Sequence, residues 1–336
     1  MPKTERLGVE YDIVPVIDAH THTSGPERDG SASYVVSVMD ECGVEQAFVF
    51  APLLSAQGKE LTDESLGDVR THNDYIAHFC SQSPERLLAF CVLNLHPGLG
   101  GGDAGRTAEL MIEEARRCYH ELGIRGCKLI PDHWTAEDEH AIRLFEELAR
   151  LGMHVVFHTG IFMDERSSTW CRPALFEGVH RVEGFHGQLA HLGWPWVDEC
   201  VAVLLMQTEH SPPDDPPLCV DLSFGSPPDW RFDSFRKAIN NLPQNYLMFA
   251  SDLFWPVDAF TYMENYFLPE LTMLEAAATA SRTAPAQGSE ERVAMRRKFF
   301  YDNALHQWER ATHGVPQQPK RALSTPRVTR ARSTAC

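Results

Sequence analysis

The sequence predicts an α/β fold of the (β/α)8, or TIM-barrel, type in a single domain. Three observations carry that expectation. Eight short apolar or β-branched runs alternate with longer amphipathic stretches over most of the 336 residues. No Gly-x-Gly-x-x-Gly follows the first run, so the usual mark of a doubly wound dinucleotide-binding sheet is missing. Histidines and an aspartate stand repeatedly at the carboxyl ends of the apolar runs, the end at which barrels carry their chemistry.

Residues 1–12 read as an N-terminal extension, 13–312 as the barrel and 313–336 as a basic tail. The first strand is expected over 13–19, running directly into His20-Thr21-His22. A helix near 33–42 leads to a second strand at 46–51, Gln-Ala-Phe-Val-Phe-Ala. A continuous apolar run of this kind suits a strand covered on both faces. A helix at 70–82, a strand at 87–95, a helix at 105–122 and a strand at 124–130 follow. The stretch 136–151 is the clearest helix, with apolar residues at 141, 142, 144, 145, 148 and 151 forming one stripe. Thr135 is its expected N-cap and Gly152 its stop. Strands at 153–158, 186–191, 218–223 and 246–251 alternate with helices at 172–183, 195–207 and 230–241. Residues 211–217 (Ser-Pro-Pro-Asp-Asp-Pro-Pro) exclude regular structure, and 276–289, small and polar, read as a surface insertion. The tail, rich in Pro, Gln, Ser, Thr and Arg, is expected to be disordered.

Composition narrows the partners. A net charge of −17 speaks against nucleic acid or an anionic membrane, and leaves a small molecule as the expected partner. The nine cysteines form no Cys-x-x-Cys pair and several sit in apolar runs, which suits buried reduced thiols. The N-terminus has no signal-like apolar core, and no run approaches the ~18 apolar residues of a membrane span. A cytoplasmic location is therefore expected, and a homodimer is the default oligomer.

The strand ends assemble a candidate site. Positions i and i+2 of a strand share a face, so His20 and His22 can converge on one point. Lys128, His158, His191 and Asp252 end other expected strands on the same rim. Histidine and aspartate together suit Zn²⁺, Fe²⁺ or Mn²⁺. Asp18, two residues before His20, is expected on the same face, where it could orient a ligand. His96 ends the third strand and is either a substrate contact or a loop cap. Arg28 and Arg172 lie in expected mouth loops, where either could meet an anionic group. Trp194, Trp196, Phe254 and Trp255 offer an aromatic wall, although packing against helices is the plainer reading.

The chain resembles the amidohydrolase superfamily, specifically its amidohydrolase-related branch of metal-dependent hydrolases and decarboxylases. DAHTHTS resembles the strand-one motif, MDECGVEQAFVFAP the first helix and second strand, SPERLLAFCVLNLHP the third strand and GIRGCKLIP the fourth. QLAHLGWPWVDECVAV, around strand six, is the nearest match; LMFASDLFWP resembles strand eight, and FFYDNALHQW the closing helix. The resemblance runs from residue 13 to 311 and names no substrate. It implies that His20, His22, His158 and Asp252 hold one divalent metal, zinc before manganese or iron. A second metal is less expected. His191 would lie beside the metal, polarising substrate or touching a second ion, and Asp252 would act as the base toward a metal-activated water. Lys128 is read as a cation that faces the substrate or supports the metal ligands from behind, rather than as a carboxylated bridge. Relatives often carry His after Leu129; here Ile130 stands there, so that role is absent or shifted to His133.

The leading expectation is a metal-dependent hydrolase of an amide, ester or lactone. The alternative is a non-oxidative decarboxylase of an aromatic or unsaturated carboxylic acid. Some decarboxylases of the branch carry Glu in place of His20, which leans the reading toward hydrolysis. A non-catalytic binding barrel is the remote third, since no implied ligand is missing.

Overall fold

The structure, a computed structural model, describes residues 3–6, 9–12, 14–54, 61–62, 64–162, 166–209, 211, 215–223 and 227–313. Two short strands, β1 (Lys3–Arg6) and β2 (Val9–Asp12), form an antiparallel hairpin where the sequence suggested only an extension. Eight parallel strands follow: β3 (Val16–His22), β4 (Val44–Phe50), β5 (Leu87–Leu93), β6 (Gly126–Leu129), β7 (His154–Phe157), β8 (Gly187–Leu189), β9 (Leu218–Asp221) and β10 (Leu247–Met248). Each pairs with the next in chain order. A ninth, β11 (Leu253–Phe254), pairs parallel with β3, and the Ala19 amide donates to the Phe249 carbonyl at 3.2 Å. The chain after β10 thus lies against β3, and the sheet curls into the expected TIM barrel.

Helices α1 (Ala32–Cys42), α2 (Ser65–Cys80), α3 (Ala104–His120), α4 (Glu139–Leu151), α5 (Val197–Met206) and α6 (Pro228–Asn241) fill the expected crossovers. α4 begins later than expected. Asp138 is its cap position, and the Thr135 amide donates to the Asp138 carboxylate at 2.7 Å, so 135–138 is a turn. Gly152, at φ 72°, ends α4 as the sequence predicts. The helix expected over 172–183 is instead two 3₁₀ segments, Ser168–Cys171 and Pro173–Arg181. The second segment packs closely: a Cβ on Gly178 would stand 2.9 Å from the Ala136 carbonyl oxygen.

The chain then adds more helix than the sequence reading foresaw. α7 (Ala259–Tyr262) continues through a π-helical turn (Met263–Phe267) into α8 (Leu268–Thr279). Residues 276–279 are therefore helix, and only the remainder of the expected insertion is a connecting loop. α9 (Glu290–Arg297) leads through a second π turn (Lys298–Asp302) into α10 (Asn303–His313). Residues 212–214 and all of 314–336 lie outside the described residues.

Two apolar layers hold the fold. Outward-facing strand residues such as Val16, Val49, Cys91 and Val155 pack against helix residues such as Val35, Ile76, Met111 and Leu144. The barrel interior is filled by Ile17, Ala19, Phe48, Phe50, Leu88, Phe90, Val156, Cys219, Met248 and Ala250. Ala304, Leu305 and Trp308 of α10 join that interior cluster, with Trp308 6.0 Å from the Phe48 ring, so α10 plugs the amino-terminal end of the barrel. The eight described cysteines are buried and unbridged, as their spacing suggests.

Candidate metal centre and substrate pocket

The site begins with an irregularity in β3. Its register against β4 shifts between Asp18 and Thr21. Ile17 and Ala19 face the interior, and after the shift His20 and His22 do so as well. The shift corrects the expectation for Asp18, which does not share the face of His20. Its carboxylate accepts from the Ser251 amide at 2.9 Å and the Tyr262 hydroxyl at 2.9 Å. Asp18 therefore ties the backbone of β3 to the chain after β10 rather than orienting an imidazole. Burial lifts its pKa to about 6, against the lowering effect of those bonds.

At the pocket floor, His20 Nε2 and His22 Nε2 stand 3.0 Å apart. Asp252 Oδ1 lies 3.1 Å from the first and 3.0 Å from the second. Asp252 has φ 59°, a left-handed conformation uncommon outside glycine, and this turn aims its carboxylate back at β3. Three donor atoms this close cannot all be satisfied by one another, because an imidazole pair shares at most one proton. Ligands about 2.1 Å from one ion at right angles stand about 3.0 Å apart, so the triangle fits a divalent cation. Burial lowers His22 to about 4, and it stays neutral, as a ligand must be. Burial alone would raise the Asp252 pKa, but the His191 and His20 charges and its hydrogen bonds hold it well below the usual range.

The other expected residues come to the same pocket. His158, after β7, has a buried Nε2 with no hydrogen-bond partner, and its ring stacks on Phe162 at 4.3 Å. It is not among the three donors that crowd together, although it lines the same cavity. His191, at φ 61°, stands 5.0 Å from His158 and 5.1 Å from His20 between ring centres. Burial lowers its pKa to about 4. Lys128 is fully buried, and its ammonium reaches His20 Nε2 at 3.3 Å. Burial brings its pKa down to about 8.

His96 takes the capping alternative. Its Nδ1 accepts from the Gly98 amide at 3.0 Å, and it does not line the pocket. That bond also bars it from acting as a ligand with Asp132 and His133, which lie beside it. A neutral ring accepting at Nδ1 carries its proton on Nε2 and has no lone pair there. Arg172 pairs with Glu199 and is likewise outside the lining. Trp194 and Phe254 do form part of a wall, with Phe254 stacked on His22 at 4.5 Å, while Trp255 is buried and stacks on Tyr262.

Sequence reading missed Asp221. It ends β9 in Leu-Cys-Val-Asp, the same signal that exposed Asp252. It is fully buried and bonds to His20, Gln188, His191 and Ser223. Burial would raise its pKa, but His20, His191 and Ser223 hold it far below the usual carboxylate range. With both oxygens so occupied, Asp221 has no lone pair left for an ion, although it lies near His20 and His191. The pocket above the floor has a volume of about 390 Å³. Leu53, Ile130, Ile161, Phe162, Trp194 and Phe254 form its apolar walls, and Arg166 stands on its lining with the guanidinium 4.0 Å over Phe162. Neither Phe162 nor Arg166 carried a sequence signal, since both sit in a loop.

Fold and pocket define a barrel protein of enzyme type, with its donor atoms gathered at the carboxyl ends of the strands. Residues 17–309 match the family model described as amidohydrolase, and the chain belongs to the amidohydrolase family. It is 27% identical over 136 residues to a 2-keto-4-carboxy-3-hexenedioate hydratase of Sphingobium sp.. That match takes in 38% of this chain and 36% of the hydratase, so it spans about a third of that relative's length. The fold resembles 2,6-dihydroxybenzoate decarboxylase from Rhizobium, with TM-score 0.56 and 15% identity over 88% of this chain and 99% of that one. It also resembles 5-carboxyvanillate decarboxylase from Novosphingobium aromaticivorans, complexed with manganese and 4-hydroxy-3-methoxy-5-nitrobenzoic acid. There the TM-score is 0.57 and identity 13%, over 88% of this chain and 96% of that one.

Proposed function

We propose that this protein is a metal-dependent, non-oxidative carboxy-lyase acting on a planar aromatic or conjugated carboxylic acid. One observation carries the reading: three convergent metal-type donors lie at the floor of an apolar, aromatic-walled pocket whose lining also holds two cations, Lys128 and Arg166. In a protein of net charge −17, such a pocket selects for an anion with a flat apolar body. The names of the two decarboxylases that share the fold support the same reading, and they reverse the order of the sequence expectation, which placed hydrolysis first.

His20, His22 and Asp252 would hold the metal, with His158 as the further ligand. Manganese is favoured over zinc because the carboxyvanillate enzyme is complexed with it. When bound, the metal supplies a positive charge that draws a substrate carboxylate and its neighbouring oxygen to the floor of the pocket. Phe254 gives the substrate ring an aromatic face, and the apolar walls exclude water from the bond to be broken. The carbon–carboxylate bond breaks, its electron pair stays on the substrate carbon, and carbon dioxide leaves. A proton must then reach that carbon. Asp252, ionised in the resting pocket and with its side chain 24% exposed, would first accept a proton from a substrate hydroxyl or from solvent and then pass it to that carbon.

Release of carbon dioxide from a panel of hydroxybenzoates and conjugated dicarboxylates, with manganese or zinc supplied, tests the proposal. Turnover of lactones or esters with no carbon dioxide from any acid would return the protein to hydrolysis. A second reading, addition of water to a conjugated polycarboxylate, is favoured by the hydratase match and is scored in the same assay by loss of the conjugated absorbance without gas release.

A further inference from the structure

Five hydrogen bonds reach the Asp221 carboxylate. His20 Nδ1, at 3.1 Å, and Gln188 Nε2 approach Oδ2. The His191 amide, at 2.9 Å, the Ser223 amide, at 3.1 Å, and the Ser223 hydroxyl approach Oδ1. Acceptance of two backbone amides and a side-chain amide marks this carboxylate as ionised and purely an acceptor. The hydroxyl proton of Ser223 therefore points at Asp221, and the Ser223 oxygen is left to accept. The atom in reach is His191 Nδ1, 2.8 Å away, so that nitrogen carries the ring proton. The same reasoning puts the His20 proton on Nδ1, facing Oδ2.

We infer that Asp221 is a positioning residue that fixes two histidines in the Nδ1–H tautomer: His20 directly, and His191 through the Ser223 hydroxyl. Both rings then turn a bare Nε2 toward the pocket. For His20 this is the state a metal ligand needs. For His191 it reverses one of the two parts implied by the family resemblance, polarising the substrate, and leaves contact with a second ion open. A neutral ring with a bare Nε2 accepts a proton or a hydrogen bond; it does not donate one to a developing oxyanion. The substrate group facing His191 should accordingly be a donor, such as a phenolic hydroxyl or a protonated enol. The arrangement is held from behind, since Arg231 donates to the Leu222 carbonyl at 2.8 Å and pairs with Glu270, fixing the segment that carries Ser223. The inference does not depend on which reaction the pocket performs.

The test is long-range proton–nitrogen NMR on the zinc-loaded, ¹⁵N-histidine-labelled protein at neutral pH, with His191 assigned by its loss in His191→Gln. The expected pattern is a pyrrole-type Nδ1 and a pyridine-type or zinc-shifted Nε2. Ser223→Ala should lose that single pattern and show mixed tautomers, and Ser223→Thr, which keeps the hydroxyl, should restore it. A pyrrole-type Nε2 in the unaltered protein would overturn the inference, and that spectrum decides even where Ser223→Ala fails to fold. An unchanged His191 pattern in a folded Ser223→Ala protein would overturn the serine link.

Discussion

Single residues decide what this pocket can hold. Asp252 is the only carboxylate in the donor triangle. Asp252→Asn should cut metal affinity and reduce turnover by roughly 10²–10⁴-fold while leaving the fold intact, checked by metal titration, kcat and circular dichroism. Arg166 makes a prediction about selectivity. A guanidinium on the pocket lining should recognise a second anionic group on the substrate, and a charge-assisted bond of about 1.5–3 kcal/mol corresponds to roughly a 10–100-fold effect. Arg166→Met should raise KM by that factor for a dicarboxylate and leave the matching monocarboxylate nearly unchanged. His20, His22, His158, His191 and Asp252 were all legible in the sequence because each ends an apolar run, and strand ends meet at one rim in a barrel. Asp18 and Asp221 show where that logic fails. The register shift in β3 broke the alternation that placed Asp18 beside His20. Asp221 obeyed the strand-end rule, yet its work lies in hydrogen bonds to residues of β3, of the turn after β8 and of the loop after β9, and chain order does not display those.

At the scale of elements, periodicity was informative where one face of a helix packs and the other meets water. α4 was clear for that reason, and it supplies a test. Glu147 of α4 bonds to Arg150 and to Arg116 of α3, first through Arg150 and then through Arg116, and its pKa falls to about 2. A carboxylate lowered in the folded state stabilises the fold above its unfolded pKa, near 4.5, and loses that contribution as pH falls toward 2. Because both arginines are half-exposed and solvent screens the pairs, Glu147→Gln should lower stability by about 1 kcal/mol at neutral pH and by progressively less below pH 4.5. The pH dependence of Tm for the two proteins checks this. The segment after β7 has apolar spacing that suits an α-helix, yet it folds as 3₁₀, with Gly178 set close against Ala136. α7 to α9 were missed because their small or mixed residues present no strong stripe.

For the whole molecule, the barrel and its closing helix were legible because strand–helix alternation recurs and the last helix carries a readable motif. The described helices include none long and apolar enough to cross a membrane. A triangle of donor atoms spaced for a divalent cation should couple the folded state to metal binding. Chelation should lower Tm, and return of manganese or zinc at about 100 times its Kd should restore about 2.7 kcal/mol of stability. Differential scanning fluorimetry across a metal titration reads that coupling directly.

Trp308 and its neighbours on α10 occupy the amino-terminal bore of the barrel. The channel is consequently blind at one end, a well with a single mouth among the described residues. Whatever enters to react and whatever remains afterwards must share that mouth and the same floor. The organic product should therefore exclude its own precursor, and product inhibition should be competitive, with the apparent KM rising linearly with added product while kcat stays fixed. A mixed pattern would instead mean that the organic product binds a form of the enzyme other than the empty well.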